Sequence, residues 1–245
     1  MKKNILVMRL LFTACIASML FSCDGGKTDE VKEETTKTDS SSSMQMTPTP
    51  EPATFKPFDI MEATHTIKDY AAWRPGFNAD SVNRKAAGLN DFVVGAEMDK
   101  PNNIMMVLEV TDVQKAKDFA ASPLLKERMN KLGVTSKTDV GYFHVIRFNK
   151  EANEKNWVVI THKVKDFDAW QKVYDNEGTA KRLSEGMIDA AMARGIDDQN
   201  IVQIVFDITD MNKAKAALAS EENKKLMVTA GVEGKPAINF YTTVE

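Results

Sequence analysis

Three histidines are the residues of this chain best suited to proton transfer or to metal binding. They are His65, His144 and His162, and each falls in a segment that predicts a β-strand. Imidazole titrates near neutral pH, so these side chains are candidates for a general base or for part of a metal or haem site. The alternative is structural, because His65 and His162 occupy equivalent places in two similar segments. No His-x-His or Glu-x-x-His spacing supports a metal site, and we predict no cofactor.

Two tryptophans complete the predicted candidate pocket. Its members are His65, His144, His162, Trp73 and Trp170. Both tryptophans lie on apolar stripes of predicted helices, where packing in the core is the usual role of such a ring. The sequence contains no Gly-rich phosphate loop, nucleophile elbow or paired-carboxylate motif. It therefore assigns no catalytic residue, and whether the protein is an enzyme stays open, with the balance toward no.

The cysteines and the charge balance exclude several classes of protein. Cys15 and Cys23 are the only cysteines and both precede the predicted folded part, which excludes cysteine nucleophiles, zinc ribbons and iron–sulfur sites there. The net charge is −3 and the isoelectric point is near 5.8, with no clustered basic run. We therefore expect no nucleic-acid partner.

Residues 1–22 are predicted to be a lipoprotein signal peptide. Basic residues precede an apolar stretch at 10–21, which has the length of a signal core and is too short to span a bilayer. The stretch ends in Leu20-Phe21-Ser22-Cys23, which resembles a lipobox. We expect acylation of Cys23, with palmitate among the acyl chains, and a cell-envelope location, with the outer membrane favoured and the leaflet open. The alternative is an ordinary secretory signal with an unrelated cysteine.

Residues 23–57 are predicted to be the lipidated cysteine and a tether. The segment contains Ser40 to Ser43 and a Thr/Pro/Glu run at 47–52, with almost no apolar residue to bury. Such a composition favours a disordered spacer of roughly 30 Å between the lipid and the folded part.

Residues 58–150 and 151–245 are predicted to be two copies of one unit. The segment 64–73 reappears at 161–170, and the segment 111–117 reappears at 209–215. Matches in the same order at a nearly constant offset indicate a structural repeat. In each copy, hydrophobic periodicity and helix-capping residues predict the order β-α-β-β-α-β, the ferredoxin-like split unit. The first helix is expected to kink or restart at Pro75-Gly76.

The predicted fold class is α+β, with two tandem ferredoxin-like repeats forming a fused pseudo-dimeric α+β barrel. Most residues of the segments 104–110 and 201–208 are apolar, so both faces of each predicted strand are apolar. This pattern is typical of strands that are covered on both faces. Helices cover one face of each sheet, so the other face requires a partner, and the second repeat supplies it.

The repeated pattern His-x-[Ile/Val]-Lys-Asp-aromatic-x-x-Trp, with the Lys-Ala-Lys helix and the following Gly-Val, resembles the dimeric α+β barrel superfamily. The resemblance covers roughly residues 60–245 and includes the antibiotic-biosynthesis-monooxygenase-like proteins. It implies the fold and leaves the activity open, since no catalytic residue of characterised members maps onto this chain.

Two functions remain after these exclusions. The first is a membrane-anchored module that binds a small apolar ligand or interacts with a partner. The second is a monooxygenase-like enzyme acting on a small apolar or aromatic compound, using His65 with His144 or His162. The copies differ at His144, which aligns with Thr242, so we expect an active pocket in the first copy.

Overall fold

The computed structural model describes residues 55–245. The predicted signal peptide, the acylation site at Cys23 and the tether up to residue 54 lie outside the described residues. Within the described range, no helix has both the length and the apolar character needed to cross a bilayer.

Each repeat contains four strands and four short helices. In the first repeat the elements are β1 (Phe58–Thr66), α1 (Tyr70–Ala79), α2 (Ser81–Ala86), β2 (Leu89–Glu97), β3 (Lys100–Val110), α3 (Val113–Ala120), α4 (Pro123–Lys131) and β4 (Asp139–Phe148). In the second they are β5 (Asn156–Val164), α5 (Phe167–Glu177), α6 (Thr179–Ser184), β6 (Met187–Gly195), β7 (Ile201–Ile208), α7 (Met211–Ala219), α8 (Glu221–Thr229) and β8 (Val232–Thr243).

The eight strands form a closed antiparallel barrel in the order β1-β3-β2-β8-β5-β7-β6-β4. Each repeat contributes four adjacent strands in the ferredoxin-like order. The repeats join at two seams, β4 with β6 and a short β2–β8 pairing at residues 95–97 and 241–243. The predicted fused α+β barrel is confirmed, and closure leaves neither sheet with a free edge.

Aspartates fix the start of the main helices. Asp69, Asp112, Asp166 and Asp210 are N-caps whose carboxylates accept backbone N–H groups of the first turn. The break predicted at Pro75-Gly76 lies further along the chain. The helix α1 continues through Pro75 to Ala79, and the next helix begins at Ser81. Pro75 is the sixth residue of α1 and has no N–H to donate to the carbonyl of Ala71, so the helix lacks one backbone hydrogen bond at that point.

One buried arginine in each repeat fastens a short helix to the neighbouring strand. Arg84 donates through Nε and Nη2 to Asp91 at 2.8 and 2.7 Å, and Arg182 makes the equivalent bidentate pair with Asp189 at 2.7 and 2.7 Å. Each guanidinium also donates to a backbone carbonyl of the preceding helix and stacks on an aromatic ring. Bidentate geometry with a satisfied carbonyl compensates for burial of the charge.

Residues 55–245 form three apolar cores. Two of them lie between the helices and the outer face of the sheet, one in each repeat. The third lies inside the barrel and draws side chains from both repeats. Strands β3 and β7 are buried on both faces, as their sequences predict. In the inner core, side chains of the two copies pack against each other.

Candidate ligand-binding site

The predicted pocket residues do not form one site. His65 packs edge-on against Trp73 with ring centroids 6.0 Å apart, in the core under the helices of the first repeat. His162 packs against Trp170 at 5.5 Å in the equivalent core of the second repeat. Each histidine faces its own helices, on the outer side of the barrel wall, so the two imidazoles are separated by the barrel.

His144 lies on the outer surface. Its Nδ1 is 2.6 Å from a carboxylate oxygen of Asp59, and its side chain is 48% exposed. The first and last strands of the repeat are neighbours as expected, but their register places His144 opposite Asp59. His65 lies six residues further along β1, roughly 20 Å away at the rise of a strand. The expected approach of His65 to His144 is therefore wrong, because strand adjacency does not fix register.

The two buried histidines are neutral at physiological pH. Burial lowers the pKa of His65 to about 4 and that of His162 to about 4. His65 Nδ1 contacts the hydroxyl of Thr138 at 3.2 Å, while its Nε2 and both ring nitrogens of His162 have no hydrogen-bond partner among the described residues. The cavities beside them have volumes of about 120 and 60 Å³. These volumes fall below the roughly 300 Å³ at which small-molecule pockets begin.

A larger cavity of about 310 Å³ lies inside the barrel. Most of its wall is apolar, with contributions from strands of both repeats and from the linker between them. Its lining includes Ile60, Val107, Val145, Trp157, Ala190, Ala191, Ala193 and Val205. The volume and the apolar lining match those of a site for a small organic molecule.

The cavity ends on a buried polar pair. Glu62, on β1, is 8% exposed, and its Oε2 accepts a hydrogen bond of 2.8 Å from the amide Nε2 of Gln203 on β7. The same amide group donates to the hydroxyl of Thr161 at 3.3 Å. Gln203 is 2% exposed. Both hydrogens of its amide have partners, and these two hydrogen bonds hold the group in place. Glu62 thus presents a carboxyl group at a fixed position in an apolar chamber.

The carboxyl group of Glu62 titrates near neutral pH. Burial raises its pKa from 4.5 to about 7, and the hydrogen bond from Gln203 opposes that rise. No ion pair with a basic group compensates for its charge among the described residues. A carboxyl with a pKa near 7 can both donate and accept a proton under physiological conditions.

Phenylalanines surround the mouth of the cavity. Phe58, Phe92 and Phe148 pack against one another with centroids 5.7 to 6.1 Å apart. The same three rings line a shallower groove outside, together with Phe55 and Lys150. The mouth is therefore at the end of the barrel where β1 begins.

The cavity offers few ligands for a metal or a haem iron. Its lining contains no histidine, cysteine, methionine or tyrosine, the usual axial ligands of haem. Within residues 55–245, no group of three or more His, Cys, Asp or Glu side chains has the geometry to hold a metal ion. The barrel interior is thus suited to an organic molecule.

Sequence reasoning missed Glu62 and Gln203. The signal that identifies them is a polar residue on the inward-facing side of a strand that is otherwise apolar. At the equivalent positions of the other repeat stand Val159 and Met105, which are both buried in the inner core. The polar pair therefore occurs once in the barrel, with one partner from each repeat.

Comparison with known proteins establishes the fold. No family model matches the chain, and no curated protein has significant similarity to it. A solved structure of an anthrone oxidase-like protein aligns with 13% identity and a TM-score of 0.51, covering 77% of this chain and 92% of that one. A candidate monooxygenase from Fusobacterium nucleatum aligns with 11% identity and a TM-score of 0.50, covering 77% and 93%. The chain shares the fold of these structures and has both ferredoxin-like repeats of its α+β barrel in one polypeptide.

Proposed function

We propose that this protein is a lipid-anchored envelope protein that binds one small, mainly apolar molecule inside its barrel. The observation that carries the binding function is the cavity of about 310 Å³ that ends on the Glu62–Gln203 pair. Burying an ionisable carboxyl in an apolar chamber costs stability, and a ligand-binding role accounts for that cost. The anchor is proposed from the lipobox-like sequence at Cys23.

A neutral aromatic dye tests the binding site. N-phenyl-1-naphthylamine would be titrated into the processed chain, residues 23–245, carrying Cys23→Ala so that no acyl chain competes for the dye. We expect saturable binding with a stoichiometry of one, seen as an increase in dye fluorescence. Ala193→Phe, which places a ring in the cavity, is expected to weaken binding at least tenfold.

The matched control is Ala120→Phe, at a residue beside the smaller cavity of the first repeat. It adds the same ring between helix and sheet and should leave dye affinity unchanged. If the dye binds with unchanged affinity to the Ala193→Phe variant, or if Ala120→Phe alone abolishes binding, the barrel interior is not the site. Circular dichroism of both variants separates loss of binding from loss of folding.

The alternative function is an enzyme that transforms such a molecule. The solved structures of the same fold include a candidate monooxygenase and an anthrone oxidase-like protein, and Glu62 has a pKa suited to proton transfer. Glu62 takes the place of the histidines in this alternative, since they lie outside the barrel interior. Mass spectrometry of a bound compound that is recovered after incubation in air distinguishes the two functions. A binding protein returns the compound with its mass unchanged, whereas an enzyme returns a product of different mass.

A further inference from the structure

We infer that the ligand of the barrel is a lipophilic organic cation, such as a protonated amine on an aromatic or alkyl body. This inference rests on the proposed function and specifies the class of ligand. It follows from the signs and positions of the charged groups around the cavity, and from the aromatic rings at its mouth.

Every charged side chain that lines the cavity is an acid. Glu62 lies at the inner end, and Glu154 and Asp207 lie nearer the rim. Among the described residues that line the cavity there is no lysine, arginine or histidine. A negatively charged chamber of low dielectric attracts a cation and repels an anion.

The innermost acid lacks a positive partner. Glu62 is 8% exposed and accepts one neutral hydrogen bond, from Gln203, whose amide hydrogens are both used. Glu97 on β2, the other buried glutamate of this repeat, is different. Its carboxylate accepts hydrogen bonds from Lys100 and from Asn103. A protonated amine placed at Glu62 would supply the charge that this carboxylate lacks.

The rim carries the other two acids as a pair. The backbone N–H of Glu154 donates to Asp207 at 2.8 Å, and burial together with the Glu154 charge raises the pKa of Asp207. Two carboxylates close together favour the approach of a cation, because it relieves their repulsion.

The aromatic rings suit the same ligand. Phe58, Phe92, Phe148 and Trp157 line the cavity. Aromatic faces attract organic cations and also pack well against an apolar body. From Phe58 at the mouth to Glu62 is four strand residues, roughly 13 Å. A ligand whose amine lies at Glu62 would have its apolar body in the space between that carboxylate and the phenylalanine rings.

Three compounds of one shape test the inference by calorimetry with the processed Cys23→Ala chain. They are 1-naphthylmethylamine, which is cationic, 1-naphthylmethanol, which is neutral, and 1-naphthoate, which is anionic. We expect the amine to bind at least tenfold more tightly than the alcohol, and the anion more weakly than the alcohol. Glu62→Gln should lower the ratio of amine affinity to alcohol affinity at least fivefold.

Glu109→Gln is the matched control, since Glu109 lines the outer groove and not the cavity. It should preserve the ratio of amine to alcohol affinity. Equal affinity for all three compounds, or an unchanged ratio in Glu62→Gln, overturns the cationic ligand while the proposed barrel site stands. If neither the naphthyl compounds nor the neutral dye binds, the proposed function itself fails.

Discussion

Replacing Glu62 with glutamine is expected to change how the stability of the protein depends on pH. Folding raises the pKa of this carboxyl from 4.5 to about 7, so between these values the folded state holds a proton that the unfolded state has lost. Stability contributed by the protonated group is present below pH 4.5 and is lost as the pH rises through 7. Ionising the buried group costs about 3 kcal/mol in total.

The free energy of unfolding of wild type and Glu62→Gln would be measured by urea denaturation between pH 5 and pH 8.5. Glutamine keeps the shape and can still accept the hydrogen bond from Gln203, but it does not ionise. The variant should therefore gain roughly 2–3 kcal/mol relative to wild type across that range, with most of the gain between pH 5 and pH 7. Other groups cancel in the difference between the two proteins.

Glu233→Gln is the matched control, because Glu233 is an exposed residue of β8. Its difference from wild type should stay within about 0.5 kcal/mol at every pH. The free energy of unfolding of Glu62→Gln minus that of wild type should rise with pH. If this difference is independent of pH, or falls as the pH rises, Glu62 is not a buried carboxyl without a positive partner.

Three further predictions concern other parts of the molecule. As the pH falls from 6.5 to 4, wild type should lose about 3 kcal/mol more unfolding free energy than His162→Gln loses in parallel urea titrations, because folding lowers the pKa of His162 to about 4. Gly95→Ala should cost about 1–3 kcal/mol of unfolding free energy, since the added Cβ would lie 2.4 Å from the ring of Trp157. Cys23→Ala should move the protein from the membrane fraction to the soluble fraction on immunoblots, and retention in the membrane fraction would refute lipidation.

The fold was predictable because its signals are local and occur twice. The capping aspartates, the glycines that follow the last helix of each repeat and the strands that are apolar on both faces all follow from short-range chemistry. Gly133 and Gly231 adopt positive φ values of 81° and 76° after α4 and α8, as a helix-terminating glycine does. Duplication then predicted the barrel, since each sheet needs a cover for its second face.

The candidate site was less predictable because it depends on register and on which side of a strand turns inward. The histidines stood out by residue type, yet strand alternation places His65 and His162 under the helices. Glu62 lies three residues before His65, on the opposite side of β1, and its side chain enters the barrel. A lone glutamate in a strand is usually exposed, so only the closed barrel identifies its burial.

The short seam between β2 and β8 joins distant parts of the chain, so the barrel can close only after β8 is present. The strand β8 follows the other seven strands of the barrel in chain order, and until it pairs with β2 the barrel stays open. Up to that moment the edges of β2 and β5, the two neighbours of β8, are unpaired, and such edges are sites of misassembly with other chains. Contacts between such distant parts of a sequence also form slowly. A chain that stops before β8 is therefore expected to associate with other copies, and the final strand completes the inner chamber and the solubility of the protein together.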